Sequence, residues 1–149
     1  RVTPATRTPL IVRLPGEKVH ESGAPNSGKR CRRPVSVVDL YPTLIDLCGL
    51  PQRDDLDGRS IAPLVHDPTT EWPYPAIITH SPHLHGVNHV IRSQQHDYIR
   101  YRDGGEELYD MNDDPNQWRN LVKSPTHVDT KRELRKWLPN TNAEHFQSE

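Results

Sequence analysis

Hydrophobic and polar positions alternate in different ways along the chain. Residues 9–14, Pro-Leu-Ile-Val-Arg-Leu, are a short continuous apolar run closed by Pro15-Gly16, the pattern of a strand buried on both faces of a parallel sheet. From Ser36 to Cys48, the residues Val37, Leu40/Tyr41, Leu44 and Leu47/Cys48 recur at helical spacing, with Gly49 and Pro51 as the stop. Pro42 fits a helix only in its first turn, where a missing N–H costs no bond. The first turn, 36–40, is therefore predicted to be irregular, and Cys48 is expected to fill the core. After the turn Asp57-Gly58, a shorter helix should run from Ser60 as N-cap through Val65.

Further along, the period shortens. Ala76-Ile-Ile-Thr-His80, His89-Val-Ile-Arg-Ser93, Asp97-Tyr-Ile-Arg-Tyr-Arg102 and Glu106-Glu-Leu-Tyr-Asp110 read as strands of an antiparallel meander, with Asp103-Gly104-Gly105 the clearest hairpin signal. A short helix at Asn116–Val122 and a longer one at Val128–Leu138 follow. The longer one gathers Leu134, Trp137 and Leu138 on one side to cover a face of the sheet. The tail from Pro139 is expected to fray.

Composition narrows the functional classes. The chain has 149 residues with 19 Lys+Arg against 20 Asp+Glu, a formal charge of −1, so no whole-chain field gathers nucleic acid or an anionic membrane. Only 32% of residues are hydrophobic and 15 are Pro, which leaves a small core and long loops. Glu17–Pro34 reads as such a surface loop, its Lys29-Arg30-Cys31-Arg32-Arg33 cluster solvated. No run approaches a membrane span. Cys31 and Cys48 form neither a disulfide framework nor a zinc pattern. A single parallel-type strand cannot satisfy its own backbone groups, so residues 1–70 are expected to be the incomplete end of a larger α/β domain. Residues 71–149 are expected to form a small α+β subdomain. The isolated chain is expected to fold only in part and to be poorly soluble, because the parallel-type strand and the helix at 36–48 would expose their apolar faces.

Three blocks carry a family resemblance: Ala5-Thr-Arg-Thr-Pro-Leu-Ile-Val-Arg-Leu-Pro-Gly16, Val35-Ser-Val-Val-Asp-Leu-Tyr-Pro-Thr-Leu-Ile-Asp-Leu-Cys-Gly-Leu-Pro51 and Leu56-Asp-Gly-Arg-Ser-Ile-Ala-Pro-Leu64. Together they resemble the C-terminal half of sulfatases, members of the alkaline-phosphatase-like superfamily. Asn88-His-Val-Ile-Arg92, Tyr98-Ile-Arg-Tyr101 and Glu106-Glu-Leu-Tyr-Asp110 through Leu121 resemble the iduronate-2-sulfatase-like branch. The likeness runs over about positions 5 to 143. It implies an α/β fold, α+β within this fragment: the end of an alkaline-phosphatase-like domain followed by a four-stranded antiparallel sheet with C-terminal helices.

The resemblance also implies a sulfuric ester hydrolase acting on sulfated carbohydrate, with a formylglycine nucleophile and calcium as Lewis acid in the intact enzyme. Export to periplasm, lysosome or exterior would follow. None of that chemistry is expected in these residues. Cys31-Arg-Arg-Pro34 and Cys48-Gly-Leu-Pro51 place proline one position too late for a formylglycine motif and lack its arginine. Asp54-Asp55 and Asp113-Asp114 lie in turn contexts and are expected to be solvated. No catalytic residue, metal ligand or cofactor is assigned, and the chain alone is predicted to be inactive. The missing N-terminal part of the sulfatase domain is its expected partner.

A C-terminal subdomain beside the active-site mouth can still touch substrate. His85, Asn88, His89 and Arg92 are the substrate-binding candidates, with His80 and His83 behind them, because Arg, His and Asn supply donors for sulfate and hydroxyl oxygens. Two other classes stay open: a His-cluster metal site from His80, His83, His85 and His89, although its spacing fits no standard zinc site, and a non-catalytic binding or structural module.

Overall fold

The computed structural model describes residues 8–15, 28–81 and 87–142. They divide into two compact units. The first comprises residues up to 72 apart from Arg33–Ser36, and the second that short segment together with residues from 73 onward.

In the first unit, a 3-10 turn at Val37–Asp39 leads into helix α1 (Leu40–Leu47), and helix α2 (Ala62–His66) follows. The irregular first turn has its predicted cause, since Pro42 lies in the first turn of α1. The buried face differs from the expected stripe. Pro42, Thr43 and Ile45 point inward toward a small core with Ile61, Ala62 and Leu64, while Val37, Tyr41 and Leu44 are 83%, 51% and 58% exposed. Cys48, expected in the core, is an exposed free thiol. A polar network decides this orientation. The Thr43 hydroxyl donates to the Asp39 carbonyl at 2.5 Å and accepts the Ile61 amide at 2.9 Å, and the Asp39 carboxylate accepts the Arg59 amide at 2.9 Å. Gly58 is required by close approach, because a Cβ there would lie 2.0 Å from the Val38 carbonyl oxygen. Ser60 does take an amide of the next helix, that of Ala62 at 3.2 Å, but α2 begins beyond it. Residues 9–14 form no strand here, and Leu10, Ile11 and Val12 are exposed.

The second unit is an antiparallel meander, β1 (Ala76–His80), β2 (Asn88–Arg92), β3 (His96–Arg100) and β4 (Glu106–Asp110), in the order β1-β2-β3-β4. Both faces of β2 and β3 are buried. On one face Ile91, Tyr98 and Leu108 stand opposite one another across the strands. They meet Leu134 of helix α3 (Val128–Arg135), with Leu121, Val122, Trp137 and Leu138 around them. The amphipathic C-terminal segment thus covers the sheet as predicted.

The predicted helix at Asn116–Val122 does not form. The Asp114 carboxylate accepts the Trp118 and Arg119 amides at 3.0 and 2.8 Å, and Gln117 adopts φ +57°. Asn120 and Leu121 instead pair with the outer edge of β4, with the Leu121 amide donating to the Leu108 carbonyl at 2.7 Å and the Leu108 amide to Asn120 Oδ1 at 3.1 Å. Side-chain oxygens competing for backbone amides outbid a helix, and the exposed sheet edge is closed in the process.

Candidate functional site

Among the substrate-binding candidates, His85 lies outside the described residues, as does His83. Asn88 and Arg92 mark the two ends of β2, and His89 lies between them.

Arg92 sits directly opposite Asp97 in the β2–β3 register. Its Nε donates to Asp97 Oδ1 at 2.8 Å and its Nη2 to Oδ2 at 2.6 Å, a two-point fork on a carboxylate with no solvent exposure. Gln117 Nε2 donates to the same carboxylate at 2.9 Å. This edge of the guanidinium is committed to holding the sheet and the Gln117 turn together. His89 is buried, with Nδ1 3.2 Å from the Thr79 hydroxyl and Nε2 2.9 Å from Asn142 Oδ1. It links β1, β2 and the segment after α3.

Asn88 faces the other way along the chain, toward the β3–β4 hairpin, where its Oδ1 accepts the Arg102 amide at 3.0 Å. That bond brings the start of β2 against the hairpin end, where Asn88, Tyr101, Arg102 and Asp103 line an open surface depression. The hairpin is held by local bonds. The Tyr101 amide donates to the Gly105 carbonyl at 2.9 Å, the Gly105 amide to Asp103 Oδ1 at 2.8 Å, and Arg100 Nη1 to the Gly104 carbonyl at 2.8 Å. Gly104 takes φ +92°, which a side chain would resist. Tyr101, Arg102 and Asp103 were legible only as strand end and turn. The meander register would have placed them near Asn88.

The pair that flanks the hairpin turn, Arg100 and Glu106, carries a charge network. Glu106 accepts the Tyr98 hydroxyl at 2.7 Å and lies 3.2 Å from Arg100 Nη1 and 3.4 Å from Lys131 Nζ. The Tyr98 hydrogen bond, with help from Lys131 and Arg100, holds the Glu106 carboxyl below the usual range, while burial and then Glu106 push the Tyr98 phenol up. On β3, His96 Nε2 lies 3.8 Å from Asp110 and its ring stands edge-on to His127, 6.1 Å between centroids.

Among the described residues no three His, Cys, Asp or Glu side chains come together as a group that could hold a metal ion. Asp55 is engaged by Arg53 at 2.6 Å and Asp114 by backbone amides. Among the described residues no helix is long and apolar enough to cross a membrane.

A mixed fold with a four-stranded antiparallel meander under a C-terminal helix is shared with solved sulfatases of alkaline-phosphatase-like architecture. A crystal structure of a putative sulfatase from Bacteroides thetaiotaomicron superposes with TM-score 0.53 at 31% identity, over 66% of this chain and 22% of that one. The family model described as N-sulphoglucosamine sulphohydrolase, C-terminal, matches residues 2–144, and the chain belongs to that family. It is 31% identical over 126 residues to arylsulfatase K of Danio rerio, covering 79% of this chain and 23% of that protein. It is 32% identical over 110 residues to the delta 4,5-hexuronate-2-O-sulfatase of Bacteroides thetaiotaomicron, covering 66% and 23%. The chain spans about a quarter or less of the length of the curated relatives it matches, from 18% to 24%.

Proposed function

We propose that this chain is the C-terminal part of a sulfatase that hydrolyses sulfate esters of acidic carbohydrate, of the iduronate-2-sulfatase-like branch. The observation that carries the reading is the family match over residues 2–144. The finer assignment to the branch is supported by likeness to a relative named for a hexuronate 2-O-sulfate.

In this reading residues 1–70 end the large α/β domain and residues 71–149 are its small C-terminal subdomain. The missing N-terminal part is the partner, and it supplies the formylglycine nucleophile and calcium. The apolar surface of the first unit supports this. Val37, Val38, Tyr41 and Leu44 are each more than half exposed, and Ile11 is 89% exposed, a surface that a water-soluble protein ordinarily covers. Asn88 and His85 contribute to the substrate pocket. His89 and Arg92 hold β2 in place through Thr79, Asn142 and Asp97. Export to periplasm, lysosome or exterior belongs to the same proposal.

The test is sulfate release from a generic aryl sulfate, by the 149-residue chain and by the product of the same gene with its upstream coding sequence. The chain alone should give no turnover and the longer protein should release sulfate. Turnover by the chain alone, or a longer protein inert toward every sulfate ester offered, overturns the proposal.

A further inference from the structure

We infer that His96 and His127 form an acid-released clasp: two neutral rings seat the start of α3 on the sheet, and protonation of both frees that end of the helix. The inference stands apart from the substrate reading above.

The two rings belong to elements that meet only in the folded chain. His96 is the first residue of β3, and the β2–β3 turn holds its backbone. Its amide donates to Ser93 Oγ at 2.9 Å and its carbonyl accepts the Ser93 amide at 2.9 Å. Alternation along the strand puts its side chain on the face of Tyr98, which Leu134 of α3 covers. His127 ends the 3-10 turn Pro125–His127 and directly precedes α3. The rings stand edge-on, 6.1 Å apart between centroids. The His96 side chain is 16% exposed and His127 is half-buried, so two positive charges here would repel with reduced screening by solvent.

The surrounding charges set the direction of the response. Asp110 lies opposite His96 in the β3–β4 register, 3.8 Å from Nε2 and beyond hydrogen-bond reach. Asp97, the next residue along β3, is taken by Arg92 and Gln117. His127 Nδ1 lies near two hydroxyls, 2.9 Å from Thr126 Oγ1 and 3.1 Å from Ser124 Oγ. Asp129, in the first turn of α3, pairs with Arg132 at 2.7 Å. A charge on His127 would also face the positive end of the α3 dipole. Burial first, then His127, outweighs Asp110 and Asp97 and holds the His96 pKa below its usual 6.5. Protons therefore bind the open arrangement more tightly than the closed one, and acid favours opening.

The motion is confined to one end of the helix. Further along α3, Leu134 packs with Ile91, Tyr98 and Leu108, and Lys131 Nζ lies 3.4 Å from Glu106. At the first turn Val128 is 53% exposed, and the His127 side chain makes no capping hydrogen bond. Histidine pairs that charge together are a recurrent means of opening a packed contact in acid.

The experiment is amide hydrogen exchange by NMR on the 149-residue chain between about pH 7 and about pH 5, each rate divided by the intrinsic rate at that pH. The reporters are His127, whose amide donates to the Ser124 carbonyl, and Lys131 and Arg132, whose helical bonds go to the carbonyls of the first turn. Their protection should fall by at least about threefold over this range, while Tyr98, Leu108 and Leu134 keep theirs. His127→Gln, polar but without a titrating charge, should lose less than half as much protection. Asp110→Asn retains the Oδ1 that accepts the Asn112 amide but removes the counter-charge to His96, so the fall at the acid end should deepen. Constant protection at the three reporters, an equal fall at the core amides, an undiminished fall in His127→Gln, or a fall no deeper in Asp110→Asn overturns the inference.

Discussion

Replacing Arg92 with alanine tests the strongest polar contact in the sheet. Asp97 has no exposed side-chain surface and takes two bonds from Arg92, at 2.8 and 2.6 Å, and one from Gln117 at 2.9 Å. Arg92→Ala leaves a buried carboxylate without its guanidinium counter-charge. Breaking a buried pair by removing one partner costs about 3–5 kcal/mol. Gln117 still donates, so the lower end, about 3 kcal/mol, is the expected loss. For a chain of this length that corresponds to a fall in Tm of about 6–12 °C. Arg92→Lys keeps the charge but not the fork and should lose about 1–2 kcal/mol. The double change Arg92→Ala with Asp97→Ala removes the stranded charge, so it should be less destabilised than the sum of the single changes by at least about 1 kcal/mol. Urea unfolding followed by circular dichroism gives all four free energies. An Arg92→Ala protein within about 0.5 kcal/mol of the parent would refute the reasoning.

Other parts of the structure make separate predictions. Thr43→Val strands the buried Ile61 amide, now bonded at 2.9 Å, and should cost about 1–3 kcal/mol by the same urea assay; a neutral result would mean that amide finds another acceptor. Gly58→Ala drives a Cβ to 2.0 Å from the Val38 carbonyl oxygen, a clash with backbone that must move the 3-10 turn, and it should lower stability by more than about 2 kcal/mol and shift amide signals at Val38 and Asp39. Burial first, then His127, holds the His96 pKa below its usual 6.5, against the opposing pull of Asp110 and Asp97. The unfolded chain therefore takes up the proton first. The stability contributed by neutral His96 is complete above pH 6.5 and is lost as pH falls through the lower folded value. His96→Gln should flatten the dependence of stability on pH between about 7 and 5; an unchanged slope would assign it to other groups.

Much of the secondary structure was visible in local chemistry. The meander strands show through period-two alternation, the β3–β4 hairpin through Asp103-Gly104-Gly105, and the broken start of α1 through Pro42. The Asn116–Val122 segment was misread because its spacing suits a helix. The acceptor that prevents one, the Asp114 carboxylate, competes only once the chain turns back onto β4. The candidate site was only partly visible. Asn88 was recognised by residue type, but Tyr101, Arg102 and Asp103 join it through a register that no single strand displays. Arg92 looked like a ligand-binding arginine because Asp97 becomes its partner only when β2 and β3 pair.

By itself the order of residues determined the four strands of the meander and their tightest turn, the absence of a formylglycine motif, and membership of the sulfatase family, since all three depend on neighbours a few positions apart or on blocks read in sequence. Only the tertiary structure decided which face of α1 is buried, that Thr43 rather than Tyr41 and Leu44 looks inward, and which arginine is consumed by a carboxylate and which is left at an open depression. Burial and charge pairing are properties of surfaces brought together from distant positions, and such encounters leave no periodic trace along the chain.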